Sequence, residues 1–261
     1  MRLDAYLFEK GLYTSRTKAT QAVEKGQVAV NGKVQKPSYN VRAGDAVEVL
    51  ENQKFVSLGG YKLEKALNDF DFSPKGLTFL DVGASTGGFT DCLLQRGAKK
   101  VYDLDVGESL LDPTIADDDR VVAIENFNAR NIDENTLDEK VDCAVIDCSF
   151  ISLKLVIDAV FKAVKDDGVV IALIKPQFEC GRGQIGKSGI VLSGETRLDV
   201  CTDVISFCET RGFFVNAFTS APLQSNKNVE YLVMLSRKNV KFEKTKIYEI
   251  VYKNVCKGGK L

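Results

Sequence analysis

The sequence predicts an α/β protein in which a mostly parallel sheet of about seven strands follows a small α+β module. After about residue 58, short apolar runs alternate with helical patterns, which is typical of strands joined by crossover helices. One of these runs leads directly into a glycine-rich turn. The first fifty residues show two short helical patterns and a hairpin signal instead. We therefore expect two domains, at residues 1–58 and 59–261.

The composition is that of a globular protein. The 261 residues are 44% hydrophobic and 27% charged, and 35 basic and 36 acidic side chains leave a formal net charge of −1. No apolar run approaches the roughly 18 residues that a membrane span needs, and the first residues lack the apolar core of a secretion signal. The sequence therefore indicates a cytoplasmic protein, and we expect no membrane partner.

Histidine is absent, and the seven cysteines include no C-x-x-C pair. An odd number of scattered cysteines fits neither a disulfide framework nor a zinc ribbon. The lack of histidine excludes histidine-based triads, bases and metal sites. We expect no metal, and any acid–base chemistry must use lysine, a carboxylate, tyrosine or cysteine.

The first domain begins with helical patterns. Leu3 and Leu7 lie at helical spacing before Gly11, and Ser15 offers an N-cap for a second helix. The pair Asn31–Gly32 is a strong signal for a two-residue hairpin. We expect strands at residues 27–30 and 46–50.

Charge is distributed unevenly along the chain. Residues 1–54 carry 9 basic and 6 acidic side chains, residues 237–261 carry 8 and 2, and the middle carries 18 and 28. Basic ends on an acidic body suit a surface that binds a polyanion, although charge runs are also common on solvated faces. The basic residues of the first domain that can meet phosphates are Arg2, Arg16, Lys18, Lys25 and Lys33.

The first domain resembles the small S-four RNA-binding module of a ribosomal small-subunit protein, pseudouridine synthases and tyrosyl-tRNA synthetases. The resemblance is carried by Arg2-Leu3-Asp4, by the helix start around Arg16 and by the pattern of residues 26–34. It implies RNA binding. The alternative is a helix–hairpin cap with an ordinary basic face.

The second domain is predicted to hold seven strands. They are expected at residues 78–82, 100–106, 121–125, 141–147, 168–175, 213–219 and 230–236. Helices are expected between most of them, with examples at residues 61–67, 153–164 and 193–210.

The glycine-rich turn after residues 78–82 is the sharpest local signal. It is not a P-loop, and it differs from G-x-G-x-x-G because Ser85 stands where the second glycine admits a pyrophosphate. Asp81, just before the turn, suits a cationic ligand better than pyrophosphate. Asp105 ends the next strand, about where such folds bind a ribose.

This turn and the acidic strand end resemble the S-adenosylmethionine site of Rossmann-like methyltransferases, particularly the FtsJ-like ribose methyltransferases. The resemblance implies S-adenosylmethionine as cofactor, with Asp81 and the turn near its methionine part and Asp105 on its ribose. Two residues after the third strand are expected to flank the adenine. The expected cofactor-binding residues are Asp81, Gly83, Ser85, Thr86, Gly87, Gly88, Phe89, Asp105, Asn128 and Ala129.

Four charged residues are candidates for the chemistry: Asp147, Lys175 and Glu230 at predicted strand ends, and Lys62 in the helix before the first strand of the sheet. A lysine acts as a base only if burial or another cation lowers its pKa. Lys62 is the candidate cation, with Asp147 orienting Lys175 and Glu230 holding Lys62. Taken singly, each is equally consistent with a surface ion pair.

The order Lys62, Asp147, Lys175, Glu230 resembles the Lys-Asp-Lys-Glu tetrad of the FtsJ-like 2′-O-ribose methyltransferases. Residues 59–63, 147–152 and 174–179 extend the match, and the chain is identified as a member of the TlyA family, also called haemolysin A. The resemblance implies methylation of a ribosomal RNA cytidine at its ribose 2′-hydroxyl, with Lys175 as the general base and no metal. The expected partner is ribosomal RNA or a ribosomal subunit.

Two further segments, a glycine-rich loop and the carboxyl-terminal stretch, also give rise to expectations. In the glycine-rich loop at residues 178–190, Arg182 and Lys187 are candidate phosphate contacts, a plain surface loop being the alternative. The basic carboxyl-terminal stretch is expected to form a helix against the core. Two other functions stay open: a membrane-active haemolysin, and an inactive RNA-binding factor of ribosome assembly.

Overall fold

Contacts between residues divide the computed structural model into two units, Met1–Lys54 and Phe55–Leu261. The structure describes residues 1–24, 26–49, 54–186, 188–223 and 227–253. The division falls before the boundary predicted at residue 58, because Phe55 is buried in an apolar cluster of the second unit.

Within its described residues, the first unit contains two helices and a three-stranded antiparallel sheet. Its elements are α1 (Leu3–Glu9), α2 (Arg16–Glu24), β1 (Val28–Val30), β2 (Lys33–Val34) and β3 (Val47–Val49). The predicted hairpin is confirmed, since Asn31 and Gly32 join β1 to β2 with φ of 53° and 72°. The predicted cap of α2 is also present, because Ser15 Oγ accepts a hydrogen bond of 3.2 Å from the backbone N–H of Lys18.

The second unit is an α/β domain. Its strands are β4 (Thr78–Val82), β5 (Lys100–Leu104), β6 (Val121–Ile124), β7 (Val141–Ile146), β8 (Val164–Ile174), β9 (Phe214–Ser220) and β10 (Tyr231–Ser236). Its helices are α3 (Leu58–Asp69), α4 (Gly88–Gln95), α5 (Pro113–Ala116), α6 (Ile157–Ala163), α7 (Pro176–Glu179), α8 (Gly194–Thr210) and α9 (Thr245–Lys253). All seven predicted strands are present. The helix predicted at residues 153–164 is instead a 3₁₀ turn, Leu153–Leu155, followed by α6.

These strands form one sheet in the order β6-β5-β4-β7-β8-β10-β9. Strands β4 to β8 pair in parallel, which confirms the mostly parallel sheet. Strand β10 runs antiparallel to both of its neighbours, and its first residue, Tyr231, lies opposite Ile174 at the end of β8. The start of β10 therefore lies at the same edge as the ends of the parallel strands.

Helices cover both faces of the sheet. Successive strand residues point to opposite sides, so each face presents apolar side chains to its own group of helices. Phe79 and Val145 belong to an apolar cluster that includes α3 and α4, whereas Leu80 and Ile146 belong to one that includes α6, α8 and α9. The predicted carboxyl-terminal helix is α9, whose Ile247 and Val251 are buried in the second cluster. Packing on both faces leaves the strand ends as the place for polar groups.

Candidate active site

Four charged side chains meet at the carboxyl edge of the sheet. Asp147 directly follows β7, Lys175 follows β8, Glu230 precedes β10, and Lys62 lies on α3. The start of the helix that carries Lys62 is stabilised by its N-cap, Ser57, which accepts a hydrogen bond of 3.3 Å from the backbone N–H of Gly59. The structure thus brings together the four residues that the sequence singled out.

The four side chains form a continuous chain of ion pairs. Lys175 Nζ lies 2.7 Å from Asp147 Oδ1, Lys62 Nζ lies 3.8 Å from Asp147 Oδ2, and Lys62 Nζ lies 2.7 Å from Glu230 Oε2. The side chains are between 9% and 18% exposed. Pairs this sheltered from solvent are screened less than surface pairs, so each charge depends on its partners.

Lys62 is held in its charged form. Burial opposes the charge most strongly, but the carboxylates of Asp147 and Glu230 outweigh burial and raise the pKa of Lys62 above its ordinary value. Lys62 therefore stays an ammonium ion at neutral pH and shares the carboxylate of Asp147 with Lys175.

Two neutral side chains complete the contacts, and sequence reasoning missed both. Lys175 Nζ donates a hydrogen bond of 2.7 Å to Ser149 Oγ, and Gln177 Nε2 donates one of 3.1 Å to Glu230 Oε1. Each lies two residues beyond a charged strand end, in a segment that matched the family pattern. Proximity to the charged residues was the signal that pointed to them.

The glycines of the turn serve the packing of the chain itself. Gly83 has φ of +84°, and a Cβ there would lie 3.1 Å from the backbone oxygen of Asp147. A Cβ on Gly88 would lie 2.0 Å from Ser57 Oγ, the cap of α3. The turn can therefore press against the two segments that carry Asp147 and Lys62.

A small cavity, open to solvent, lies beside this turn. Asp105 is fixed at its wall, because Oδ2 accepts a hydrogen bond of 2.9 Å from Ser85 N–H and Oδ1 accepts one of 2.9 Å from Gly107 N–H. Each carboxylate oxygen keeps a second lone pair for a ligand hydroxyl. The lining residues are Ala84, Ser85, Asp103, Asp105, Gly107, Leu110, Leu111, Ala123 and Glu125.

The structure places several expected cofactor residues away from this lining. Asn128 caps a 3₁₀ turn by accepting a hydrogen bond from Arg130 N–H, and Ala129 is buried in a core cluster. Phe89 is buried in the other cluster, near Gly59. On the side of the cavity after β6, the lining residue is Glu125.

Asp81 is completely buried and belongs to a cluster that the sequence did not reveal. The Thr90 hydroxyl lies 2.8 Å from Asp81 Oδ2 and 2.5 Å from Asp103 Oδ1. Asp81 and Asp103 are neighbours across β4 and β5. Burial raises the pKa of Asp103 to about 7 and raises that of Asp81 well above its ordinary value.

An exposed aromatic ring stands close to the ion-pair chain. Phe150 is 90% exposed and has φ of +64°, which is strained for a bulky residue. Its ring lies 5.0 Å from the ring of Phe178, whose centre lies 5.8 Å from Lys175 Nζ. Sequence reasoning missed Phe150, since an apolar residue after a polar strand end carries no sign of its exposure.

In the first unit, the carboxylate of Asp4 holds together Arg2 and Arg16, two of the residues predicted to contact phosphate. Arg2 donates two hydrogen bonds to this carboxylate, at 3.1 and 2.9 Å, and Arg16 Nη2 lies 3.3 Å from Asp4 Oδ2. The hydrogen bonds from Arg2 lower the pKa of Asp4 to about 2. Lys18 and Lys33 are exposed on the same unit, whereas Lys25 lies outside the described residues.

The loop after Lys175 is tied at both ends. Glu179 accepts hydrogen bonds from Ser152 Oγ and Leu153 N–H, at 2.6 and 2.7 Å. At the other end, the buried Arg197 donates to the carbonyl oxygen of Val191 at 3.0 Å. Of the two predicted phosphate contacts here, Arg182 begins a 3₁₀ turn and Lys187 lies outside the described residues.

Within the described residues, no group of three or more Cys, Asp or Glu side chains is arranged to hold a metal ion. No helix in that part of the chain is long and apolar enough to cross a membrane.

The strand order and the cavity at the carboxyl edge place this chain among the Rossmann-like α/β folds. The model of the FtsJ-like methyltransferases matches residues 55–237, and the model of the S4 domain matches residues 1–47. The chain belongs to the FtsJ-like methyltransferase family and carries an S4 domain at its amino end. The sequence-based assignment to this class is confirmed.

Relatives are similar over nearly the whole chain. Hemolysin A of Brachyspira hyodysenteriae is 42% identical over 89% of this chain and 98% of its own length. The 16S/23S rRNA (cytidine-2'-O)-methyltransferase TlyA of Mycobacterium tuberculosis is 37% identical over 90% of this chain and 89% of its own. A solved structure from Streptococcus thermophilus, provisionally named as a hemolysin, is 38% identical with a TM-score of 0.78, covering 98% of this chain and 97% of that one.

Proposed function

We propose that this protein methylates the ribose 2′-hydroxyl of a cytidine in ribosomal RNA, with S-adenosylmethionine as the methyl donor. The observation that carries the proposal is the continuous run of contacts from Lys175 through Asp147 and Lys62 to Glu230. The name of the Mycobacterium tuberculosis relative supports the choice of acceptor. Because ribosomes are cytoplasmic in bacteria such as those relatives, the proposed substrate agrees with the expected location.

Lys175 is the proposed general base, because an alcohol needs to lose its proton as it attacks. Its amine, in the neutral form, accepts the proton of the 2′-hydroxyl while the hydroxyl oxygen bonds to the methyl carbon and the carbon–sulfur bond breaks. Asp147 Oδ1 and Ser149 Oγ fix the amine in place. Lys62 draws part of the Asp147 charge away from Lys175, and Glu230 balances Lys62.

The cavity suits the proposed cofactor, which supplies an electrophilic methyl group on a positively charged sulfur. Asp105 has lone pairs available for two ribose hydroxyls, because backbone N–H groups hold both oxygens from one side. Ala84 and Ser85 of the turn border the cavity, and Asp103 adds negative character to its wall, with Asp81 linked to Asp103 through Thr90. An acidic environment favours a cationic ligand.

RNA binding is proposed for the S4 domain and for the surface beside Lys175. Arg2 and Arg16, held at one carboxylate, present two guanidinium groups suited to phosphate. Phe150 offers an exposed ring on which an RNA base can stack. An exposed aromatic in a strained backbone beside a proposed base favours a role in the site over one in packing.

The test is transfer of labelled methyl from S-adenosylmethionine to purified ribosomal subunits. We expect label on RNA, and a map of ribose methylation should show it on a cytidine 2′-oxygen. Label on a base or on protein would contradict the proposal. If the protein binds S-adenosylmethionine poorly and labels nothing while still binding RNA, it is an RNA-binding factor instead.

A further inference from the structure

The hydrogen bonds of Thr90 impose a count of protons. A hydroxyl donates one hydrogen bond, yet Thr90 Oγ1 lies within hydrogen-bond distance of both Asp81 Oδ2 and Asp103 Oδ1, at 2.8 and 2.5 Å. Both contacts are hydrogen bonds only if Thr90 donates to one carboxyl group and accepts from the other. The accepting arrangement requires that one of the two carboxyl groups carry a proton.

The surroundings favour this protonated pair. Asp81 and Asp103 are 0% and 3% exposed, and their other oxygens, Asp81 Oδ1 and Asp103 Oδ2, find no hydrogen-bond partner in the described part of the chain. Two buried negative charges on neighbouring strand residues are costly without a compensating cation. A single shared proton removes one of them.

The groups that face the pair add further negative charge. Asp147, at the end of β7, acts on Asp81, and Asp105, on the same strand end as Asp103, acts on Asp103. The thiol of Cys148 is neutral, because burial raises its pKa to about 12. Lys175, a cation at this edge of the sheet, is already paired with Asp147.

We propose that Asp81 and Asp103 share one proton through Thr90 in the free protein, and that binding of S-adenosylmethionine releases this proton. The inference rests on the proposed function, because it takes the cavity as the cofactor site. Asp103 lines that cavity beside Ser85 and Asp105. The positive charge of the ligand replaces that of the proton.

Methyl transfer converts the sulfonium into a neutral thioether, so the pair takes a proton back from solvent when the product remains. The pair therefore favours the charged donor over the uncharged product, and the preference weakens at low pH, where displacing the proton costs more. Asp103 and Thr90 become positioning residues of the cofactor site, although neither belongs to the glycine-rich turn.

Calorimetry of S-adenosylmethionine binding, without RNA, tests whether the shared proton is released. The pKa values of Asp81 and Asp103 are both raised, so the pair should still hold its shared proton at pH 6. Binding of S-adenosylmethionine at this pH should release close to one proton, seen as different heats in two buffers of unlike ionisation enthalpy. From pH 6 to pH 5 its affinity should fall about tenfold, whereas S-adenosylhomocysteine should bind almost unchanged. Below pH 7 the amino and carboxyl groups of both ligands keep the same charge.

Equal heats in both buffers, or parallel pH profiles for the two ligands, would overturn the inference. Failure to bind S-adenosylmethionine at any pH would instead contradict the proposed function. Asp103→Asn should bind S-adenosylmethionine without proton release, and Asp119→Asn, at an exposed carboxylate, should behave as the parent. If Asp103→Asn does not bind S-adenosylhomocysteine, the Thr90→Val variant is the test instead. The pH at which proton release is half-maximal should change in Thr90→Val, and an unchanged pH would refute sharing of the proton through Thr90.

Discussion

Tyr231 lies opposite Ile174 in the sheet, because β10 runs antiparallel to β8. Glu230 and Lys175, the residues next to this pair, therefore leave the sheet at the same edge. A parallel β10 would have carried Glu230 to the opposite edge, away from Lys62. The reversal of one strand thus completes the chain of ion pairs on which the proposed reaction depends.

Replacing the proposed base tests the chemistry. Lys175→Ala should lower methyl transfer by about 100-fold or more, the range for a general base, while the affinity for S-adenosylmethionine stays near that of the parent. Single-turnover transfer and cofactor titration measure the two effects. Lys165→Ala, which removes an exposed lysine paired with Asp142, should keep activity; comparable activity in Lys175→Ala would refute the assignment.

The pair of Lys62 and Glu230 should show strong energetic coupling, since their atoms lie 2.7 Å apart and both side chains are largely buried. Lys62→Met and Glu230→Gln should each destabilise the protein, and the double variant should lose less than the sum, with a coupling free energy on the order of 1–3 kcal/mol. Urea unfolding of the four proteins gives this value. Additive losses would show that the pair does not act as a unit.

Gly83→Ala should damage activity more than stability. The residue has φ of +84°, so alanine costs about 1–2 kcal/mol, and its Cβ would also press on the backbone of Asp147 at 3.1 Å. Gly212→Ala is the matched control, with φ of +81° and open space around the Cβ. The free energy of unfolding should fall in both variants, but only Gly83→Ala should lose most of its methyl-transfer activity. Equal activity in the two variants would argue against the link between the turn and Asp147.

Phe150→Gly should separate stability from function. Glycine relieves a φ of +64°, so the free energy of unfolding should rise slightly or stay level. If a base stacks on this ring, the binding free energy for ribosomal RNA should weaken by about 1–3 kcal/mol. Methyl transfer to ribosomal RNA should fall as a result. Leu192→Ala, at another exposed apolar side chain, should keep RNA affinity. Unchanged RNA affinity in Phe150→Gly would remove the stacking role.

Asp4 should stabilise the protein in a pH-dependent way. Its folded-state pKa of about 2 lies below the ordinary 3.8, so its contribution is complete above about pH 4 and is lost as pH falls towards 2. The gap in unfolding free energy between the parent and Asp4→Asn should therefore shrink over this window. A gap that stays constant would show that the contacts with Arg2 and Arg16 contribute little. Glu48→Gln, at an exposed carboxylate on β3, is the control variant.

Local patterns predicted much of this molecule. Strand β4 and the turn after it follow from an apolar run and its glycines, and the hairpin at Asn31 and Gly32 follows from two residues alone. The helix predicted at residues 153–164 was partly wrong, because its first turn is a 3₁₀ turn capped by Ser152. Short-range hydrogen bonds of this kind compete with helix periodicity and are hard to weigh from sequence.

The sequence by itself determined the class of fold, the positions of the strand ends and the charged residues that stand there, because these depend on hydrophobic periodicity and turn chemistry between near neighbours. Tertiary structure alone decided the direction of β10, the packing need behind Gly83 and the meeting of Asp81, Thr90 and Asp103. Those features depend on which strands pair and how closely segments distant in the chain approach. No local pattern records such distances. The residues of the ion pairs could therefore be predicted from the sequence, but the distances between them could not.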